Sequence, residues 1–387
     1  MSRPPIYLDS HATTPVDPRV LETMLPYFTE TFGNPASSSH AWGWKAAEAV
    51  EAARRDVATL IGASAREIVF TGGATESNNF AIHGIATRTP DARRHIVVSA
   101  VEHKSVLEPA KHLGQQGWHV TILPITRQGG VDLEAVEAEV TTNTAIVSVM
   151  GANNEIGAIQ PLADIGAIAR ARGALFHVDA AQAAGKIPID VEAMRIDLLS
   201  LTGHKMYGPK GCGALYIRKR TEVTPLIVGG GHERGLRSGT LNVPGIVGLA
   251  KACAICRAEM TEETARLGRL RDRLLAGLTA NLDNVVVNGS IDPRHRLSHN
   301  LHVSFLGVDG ESLLVGIGDI AVSSGSACAS ASGEASHVLR ALLGDQVPSA
   351  SIRFGLSRFT TELEIDYTVE KFTAMVKHLR QTAPVKS

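Results

Sequence analysis

Seven short runs of this chain are apolar at almost every position: EIVFT (67–71), HIVVSA (95–100), HVTILPI (119–125), TAIVSVM (144–150), LFHVDA (175–180), DLLSLT (197–202) and GALYIRK (213–219). A strand with one face in water alternates apolar and polar side chains. Strands without that alternation are covered on both faces, as in parallel sheets packed between helices. Helix-forming stretches separate several of the runs. KAAEAVEAARRDVATLIG (45–62) is rich in alanine and closes on Gly62, and PLADIGAIARARG (161–173) has apolar positions at helical spacing. The expectation is an α/β fold with a mostly parallel central sheet, whose ligand groups gather beyond the carboxyl ends of its strands.

The texture changes after about residue 245. A long helical stretch covers CRAEMTEETARLGRLRDRLLAGL (256–278), and NVVVNGS, HNLHVSFLG, DIAVSS and SIRFGLSR read as strands among the helices ESLLVGIG, EASHVLRALL and ELEIDYTVEKFTAMVKHLRQT. A length of 387 residues fits two domains. The expected division is a large domain of residues 15–255 and a smaller α+β domain of residues 1–14 and 256–387.

Charge excludes one class of partner. Lys and Arg number 38 and Asp and Glu 39, a net charge of −1, so no basic nucleic-acid footprint is expected. No run is long and apolar enough to span a bilayer, and MSRPPIYLDS turns polar before a signal segment could form, so a cytoplasmic location is expected. Four cysteines are too few for a disulfide scaffold. Cys253 and Cys256 form a CAIC pair, which is either a redox or metal motif or part of an apolar helix face. Leu249, Cys253, Cys256 and Met260 step by helical spacing and favour packing. Cys212, between two glycines, also reads as packing.

Cys328 differs. It lies in SSGSACASASGE, where few side chains are large enough to pin a loop. Upstream, polar residues stand where the fold would collect ligand groups. After EIVFT come two glycines and Thr75 at a helix start, where free N–H groups favour a phosphate. Asp179 ends a buried strand and is either a helix cap or the partner of a protonated ring nitrogen, with Gln182 able to donate to a ring hydroxyl. Lys205, in SLTGHK, can form an imine with a cofactor aldehyde, beside the phosphate-binding Thr202 and His204. His103 ends another strand and is either a satisfied polar group or a ring-stacking proton shuttle. Asn154 can donate to a ring or substrate oxygen. Arg353 can clamp a carboxylate, the alternative being a surface salt bridge.

The ordered set YLDSHATTPVDPRV, FGNPASSSH, EIVFTGGATESNN, EHKSVLEP, NNEIGAIQP, HVDAAQAAGKIPID, SLTGHKMYGPKG, GGGHERGLRSGT, SSGSACASAS and SIRFGLSRFT resembles the cysteine desulfurases of the NifS/IscS type, in the class V aminotransferase group of fold-type I pyridoxal phosphate enzymes. The resemblance covers nearly the whole chain. It implies pyridoxal 5'-phosphate joined to Lys205, stacked on His103, facing Asp179 and Gln182, with its phosphate on Thr75, Thr202 and His204. It implies a homodimer in which Thr240 reaches the phosphate of the neighbouring subunit, and Asn154 and Arg353 orienting L-cysteine. Cys328 would take the sulfur as a persulfide, leave L-alanine, and pass the sulfur to an iron–sulfur scaffold or another acceptor. No resident metal is implied; Cys328 would at most ligate a cluster transiently.

The sequence departs from the family pattern in four places. LDSHATT carries His11, for which a structural role is expected. Thr202 replaces a serine, the thiol loop reads ACASAS, and the tail HLRQTAPVKS lacks the Leu-Trp segment of some relatives. Housekeeping and nitrogen-fixation-linked sulfur supply both stay open. The rival readings are a selenocysteine lyase or another class V pyridoxal phosphate enzyme such as an aminotransferase, and a non-enzymatic binding protein on the same fold.

Overall fold

The computed structural model describes residues 5–324 and 336–382. Its strands are β1 (Ile6–Tyr7), β2 (Ile68–Thr71), β3 (His95–Ser99), β4 (His119–Leu123), β5 (Thr144–Ser148), β6 (Leu175–Asp179), β7 (Leu198–Thr202), β8 (Gly213–Ile217), β9 (Val285–Val287), β10 (Asn300–Phe305), β11 (Ile320–Ala321) and β12 (Ser351–Gly355). Its helices are α1 (Pro18–Met24), α2 (Pro26–Thr29), α3 (Ala41–Leu60), α4 (Ala74–Ala86), α5 (Lys104–Gln115), α6 (Leu133–Glu139), α7 (Leu162–Ala171), α8 (Val243–Asn281), α9 (Gly310–Gly316), α10 (His337–Leu343) and α11 (Glu362–Thr382).

All seven apolar runs join one sheet, in the order β2-β8-β7-β6-β5-β3-β4. The pairs β4–β3, β3–β5, β5–β6 and β6–β7 are parallel, and β8 is antiparallel to both its neighbours. The α/β expectation therefore holds. Strands β2, β3, β5, β7 and β8 are buried at every position, which explains their unbroken apolar sequence. Strand β4 is the exception. It forms one edge of the sheet, and Ile122 stands 60 % exposed, so its apolar run does not mark burial on both faces.

Two apolar clusters flank the cavity described below. One joins α3, the sheet and the first part of α8, through residues such as Val50, Val57, Phe176, Leu249 and Cys253. The other joins Ile6 and Leu8 to β10, β12, α11 and the later part of α8, through Leu267, Leu274, Phe354 and Phe372. Helix α8 serves both. It begins at Val243, ahead of the helix face read from Leu249 to Met260 and of the 256–278 stretch, and runs 39 residues. Its one proline lies in the first turn, where the missing N–H costs nothing, and its four glycines do not break it. The change of core happens along one continuous helix rather than at a linker.

The cysteines follow the packing reading. Cys212, Cys253 and Cys256 are all buried, and burial raises each thiol, Cys212 to about 12. No described helix is long and apolar enough to cross a membrane.

Candidate active site

The parallel strands end together, and the loops beyond them enclose a cavity of about 780 Å³. That volume falls within the range of small-molecule sites. Strand β2 delivers Gly72, Gly73 and Thr75; β3 delivers His103; β5 delivers Asn154; β6 delivers Asp179 and Gln182; and β7 delivers Thr202, His204 and Lys205. From the other cluster come His11, Ala12 and Arg353. Nine residues singled out in the sequence thus share one wall. Thr240 does not line the cavity and is exposed. Cys328 lies outside the described residues.

Helix α4 opens on this cavity without a side-chain cap at Gly73. Its first N–H groups and the positive end of its dipole therefore face the pocket beside Thr75. Gly73 has φ of 147°, a conformation that side chains rarely adopt, and a Cβ there would sit 3.6 Å from Thr202 Oγ1. The space between helix start and threonine hydroxyl is open because residue 73 is glycine. His204 closes the same side, its Nδ1 3.1 Å from Thr13 Oγ1. Burial, with Lys205 and Lys210 nearby, lowers its pKa to about 4.

Asp179 holds the turn after β6 and lines the cavity. Its Oδ1 accepts from the Ala181 N–H at 2.9 Å, a local cap, while Oδ2 accepts from Asn78 Nδ2 at 2.7 Å beside the cavity. Asn78 also donates to Ser105 Oγ at 2.8 Å. Ser105 in turn holds His103, the N-cap residue of α5. The His103 Nδ1 accepts from the Ser105 N–H at 3.1 Å and lies 2.8 Å from its hydroxyl. Acceptance from the backbone N–H leaves the ring proton on Nε2. Burial keeps the imidazole pKa below its ordinary value, so the ring is neutral near pH 7.

Lys205 lies in the short turn after β7, and its Nζ donates to the carbonyl oxygens of His11 and Ala12. Arg353 is not a surface residue: its side chain is 2 % exposed and paired with Asp9 at 2.7 Å. The surface salt-bridge alternative fails because β12, although the outer strand beside β10, is buried at every position and places Arg353 opposite His302. Its Nη1 donates to the Asn154 carbonyl at 3.0 Å, and Nε has no hydrogen-bond partner among the described residues.

Several polar residues at the site escaped sequence reading. Asn78, three residues after Thr75, is a fully buried polar side chain on an otherwise apolar helix face, and that break in the pattern was the available signal. Asp9 and Glu155 gave no comparable signal, because their partners are distant in sequence.

Glu102, next to His103, is another such residue. It is fully buried and accepts from Ser99 Oγ at 2.5 Å and the Met150 N–H at 2.7 Å, while Oε2 has no partner among the described residues. Burial raises its pKa from 4.5 to about 8. The folded protein therefore holds a proton that the unfolded chain releases above about pH 4.5. Its contribution is complete below that value and is lost as pH rises to about 8, with a slope of at most about 1.4 kcal/mol per pH unit. Glu102→Gln keeps both accepted bonds without a titrating group. Chemical denaturation from pH 5 to 8 is expected to show a flatter stability profile for the variant. An unchanged slope would contradict the assignment of the proton to Glu102.

A model of the class-V aminotransferase family matches residues 6–368. The chain is 55% identical over 384 residues to the cysteine desulfurase IscS of Anaeromyxobacter sp. (strain K), with 98% of this chain and 95% of that protein covered. It is 53% identical over 384 residues to the cysteine desulfurase IscS of Rickettsia bellii (strain OSU 85-389), covering 98% and 93%. Among solved structures, a NifS-like protein aligns with a TM-score of 0.90 at 39% identity over 97% of this chain and 100% of its own. A structure described as SspA in complex with cysteine aligns with a TM-score of 0.80 at 37% identity, covering 92% and 100%.

Proposed function

The chain belongs to the class-V aminotransferase family and, within it, to the cysteine desulfurases, and on that premise we propose that its cavity holds pyridoxal 5'-phosphate on Lys205, frees sulfur from L-cysteine and passes it to Cys328. The observation that carries the site assignment is the meeting of Lys205, Asp179, His103 and the uncapped start of α4 in one cavity.

The donor set fits the cofactor. A phosphate finds N–H groups and hydroxyls at Gly73–Thr75, Thr202 and His204. A protonated ring nitrogen suits the Asp179 carboxylate, which Asn78 and the Ala181 N–H already orient. His103 offers a neutral ring to stack on, and Gln182 a donor for the ring oxygen. When bound, pyridoxal 5'-phosphate supplies an electron-withdrawing ring that makes the substrate's bonds at Cα and Cβ labile.

The remaining work falls to the protein's own groups. Arg353 and Asn154, which both line the cavity, orient the substrate carboxylate. Lys205 takes the proton from Cα, with His103 as a shuttle through Nε2. Cys328, as thiolate, attacks the substrate sulfur. A sulfur–sulfur bond forms, the carbon–sulfur bond breaks, and the electron pair left on carbon is captured as a C–H bond when a proton returns. L-alanine leaves, and the persulfide hands its outer sulfur to an acceptor such as an iron–sulfur scaffold.

Residues 15–255 form the unit that holds the cofactor, and residues 1–14 with 256–387 form the unit that carries the thiol. The exposed Thr240 suits a homodimer in which it serves the partner's phosphate, and a cytoplasmic setting suits a persulfide. The test is product analysis of the cofactor-loaded protein with L-cysteine. Equimolar alanine, and the mass of one added sulfur on the peptide containing Cys328, are expected. Pyruvate or keto-acid exchange without that added sulfur would reject the reading.

A further inference from the structure

His11 was the departure from the family pattern for which sequence reading expected only a structural role, and the fold places it beneath the cofactor wall. The ring is buried at 1 % exposure and stacks on His299, with ring centroids 4.5 Å apart and planes inclined by 24°. Gly355 presses on it from β12: a Cβ there would come within 2.9 Å of His11 Cδ2.

Its proton can be placed by hydrogen-bond accounting from two independent ends. At one end, the Glu155 carbonyl can only accept, so the Asn300 atom 2.9 Å from it is the amide nitrogen. The same nitrogen lies 3.1 Å from His11 Nε2, which must therefore accept. At the other end, the His11 carbonyl can only accept, so the Gln182 atom 2.9 Å from it is Nε2. The other amide atom, Oε1, then lies 3.0 Å from His11 Nδ1, which must donate. Both ends require the neutral form protonated on Nδ1. Burial, together with Arg353, Lys205 and Lys186 around the ring, lowers the His11 pKa to about 3, in agreement with a ring that stays neutral.

The consequence lies with Gln182. Its oxygen accepts from His11 Nδ1–H, and one of its two Nε2 protons goes to the His11 carbonyl. What remains for a ligand in the cavity is the second Nε2 proton. We infer that His11 is a positioning residue: by fixing its own tautomer between Asn300 and Gln182, its ring N–H draws the Gln182 oxygen to itself and adds to the hold of the His11 carbonyl on Nε2, which leaves the second Nε2 proton for the cavity and so favours an anionic ring oxygen on the cofactor. This rests on the cofactor reading given above. His11 touches neither substrate nor cofactor in this account and acts through Gln182. Without the imidazole, the Gln182 amide keeps only its bond to the His11 carbonyl and is held less firmly against turning its oxygen toward the cavity.

The experiment compares cofactor-loaded wild type, His11→Leu and His11→Asn by the pH dependence of the absorbance of the lysine-linked cofactor. Asparagine retains an N–H on its Cγ; leucine does not. The His11→Leu midpoint is expected to move by about 1 pH unit, and His11→Asn is expected to recover at least half of that shift. A folded, cofactor-loaded His11→Leu that titrates at the wild-type midpoint would overturn the inference. Nitrogen NMR of histidine-labelled wild type decides the question without any variant. A His11 signal protonated on Nδ1 and constant across neutral pH supports it, and protonation on Nε2 overturns it. Wild type with no lysine-linked absorbance would count against the cofactor reading instead, while the NMR result would still judge the tautomer.

Discussion

Lys205→Ala is expected to abolish covalent cofactor attachment and to lower kcat by at least about 1,000-fold, the scale of a lost nucleophile and general base. The argument is geometric. Strand β7 ends at Thr202, and the short turn over Gly203–Lys205 brings the amine into the cavity with Asp179 and His103. Lys210 also lines the cavity and is the nearest alternative amine in sequence. It stands past that turn, in the loop before β8, and is not held at the end of β7 as Lys205 is. The His11 and Ala12 carbonyls that receive the Lys205 amine would lose their charged donor, but backbone acceptors near a solvent-filled cavity are readily hydrated. The variant should therefore fold and still bind the cofactor noncovalently. Absorbance spectra and steady-state rates with L-cysteine measure both effects. A variant that turns over at the parental rate would show that another group forms the linkage.

Cys328→Ala is expected to leave the cofactor absorbance intact and to reduce persulfide formation by at least about 100-fold. The reason lies in the other three cysteines. Cys212, Cys253 and Cys256 are buried in the large apolar cluster, and burial raises every one of their thiols. With Cys212 at about 12, its thiolate fraction at pH 8 is about 1 in 10,000. Cys256 is further engaged with the Met206 carbonyl at 3.7 Å and Arg358 at 3.6 Å. None can rescue the reaction. Labelling of the persulfide and mass measurement of the thiol peptides provide the readout. Sulfur transfer at the parental rate in this variant would mean that the acceptor is not residue 328.

Much of the site was legible because its residues stand at strand ends. A buried strand that stops on Asp179, or runs through Thr202 into Gly-His-Lys, advertises polar groups exactly where apolar sequence ends, and backbone chemistry places them at one edge of the sheet. The same logic found Thr75 and His103. It misjudged β4, because an edge strand can be as apolar as a central one, and it started α8 late, because the sequence shows no boundary where one core gives way to the other. It also offered Arg353 a surface role that the buried β12 excludes.

Local sequence, then, was sufficient for the class of fold and for many of the side chains that line the cavity, since burial on two faces and the end of a strand are properties of neighbouring residues. Only the tertiary structure decided who holds those side chains in place. Arg353 pairs with Asp9 across 344 positions, His11 with Gln182 across 171, and Asn78 with Asp179 across 101. Those partners are set by the order in which strands lie side by side, 2-8-7-6-5-3-4, and by the pairing of the first residues with β11 in a separate sheet. Periodicity along the chain carries no record of either, because a hydrogen bond between distant residues exists only once both loops have been brought to the same edge.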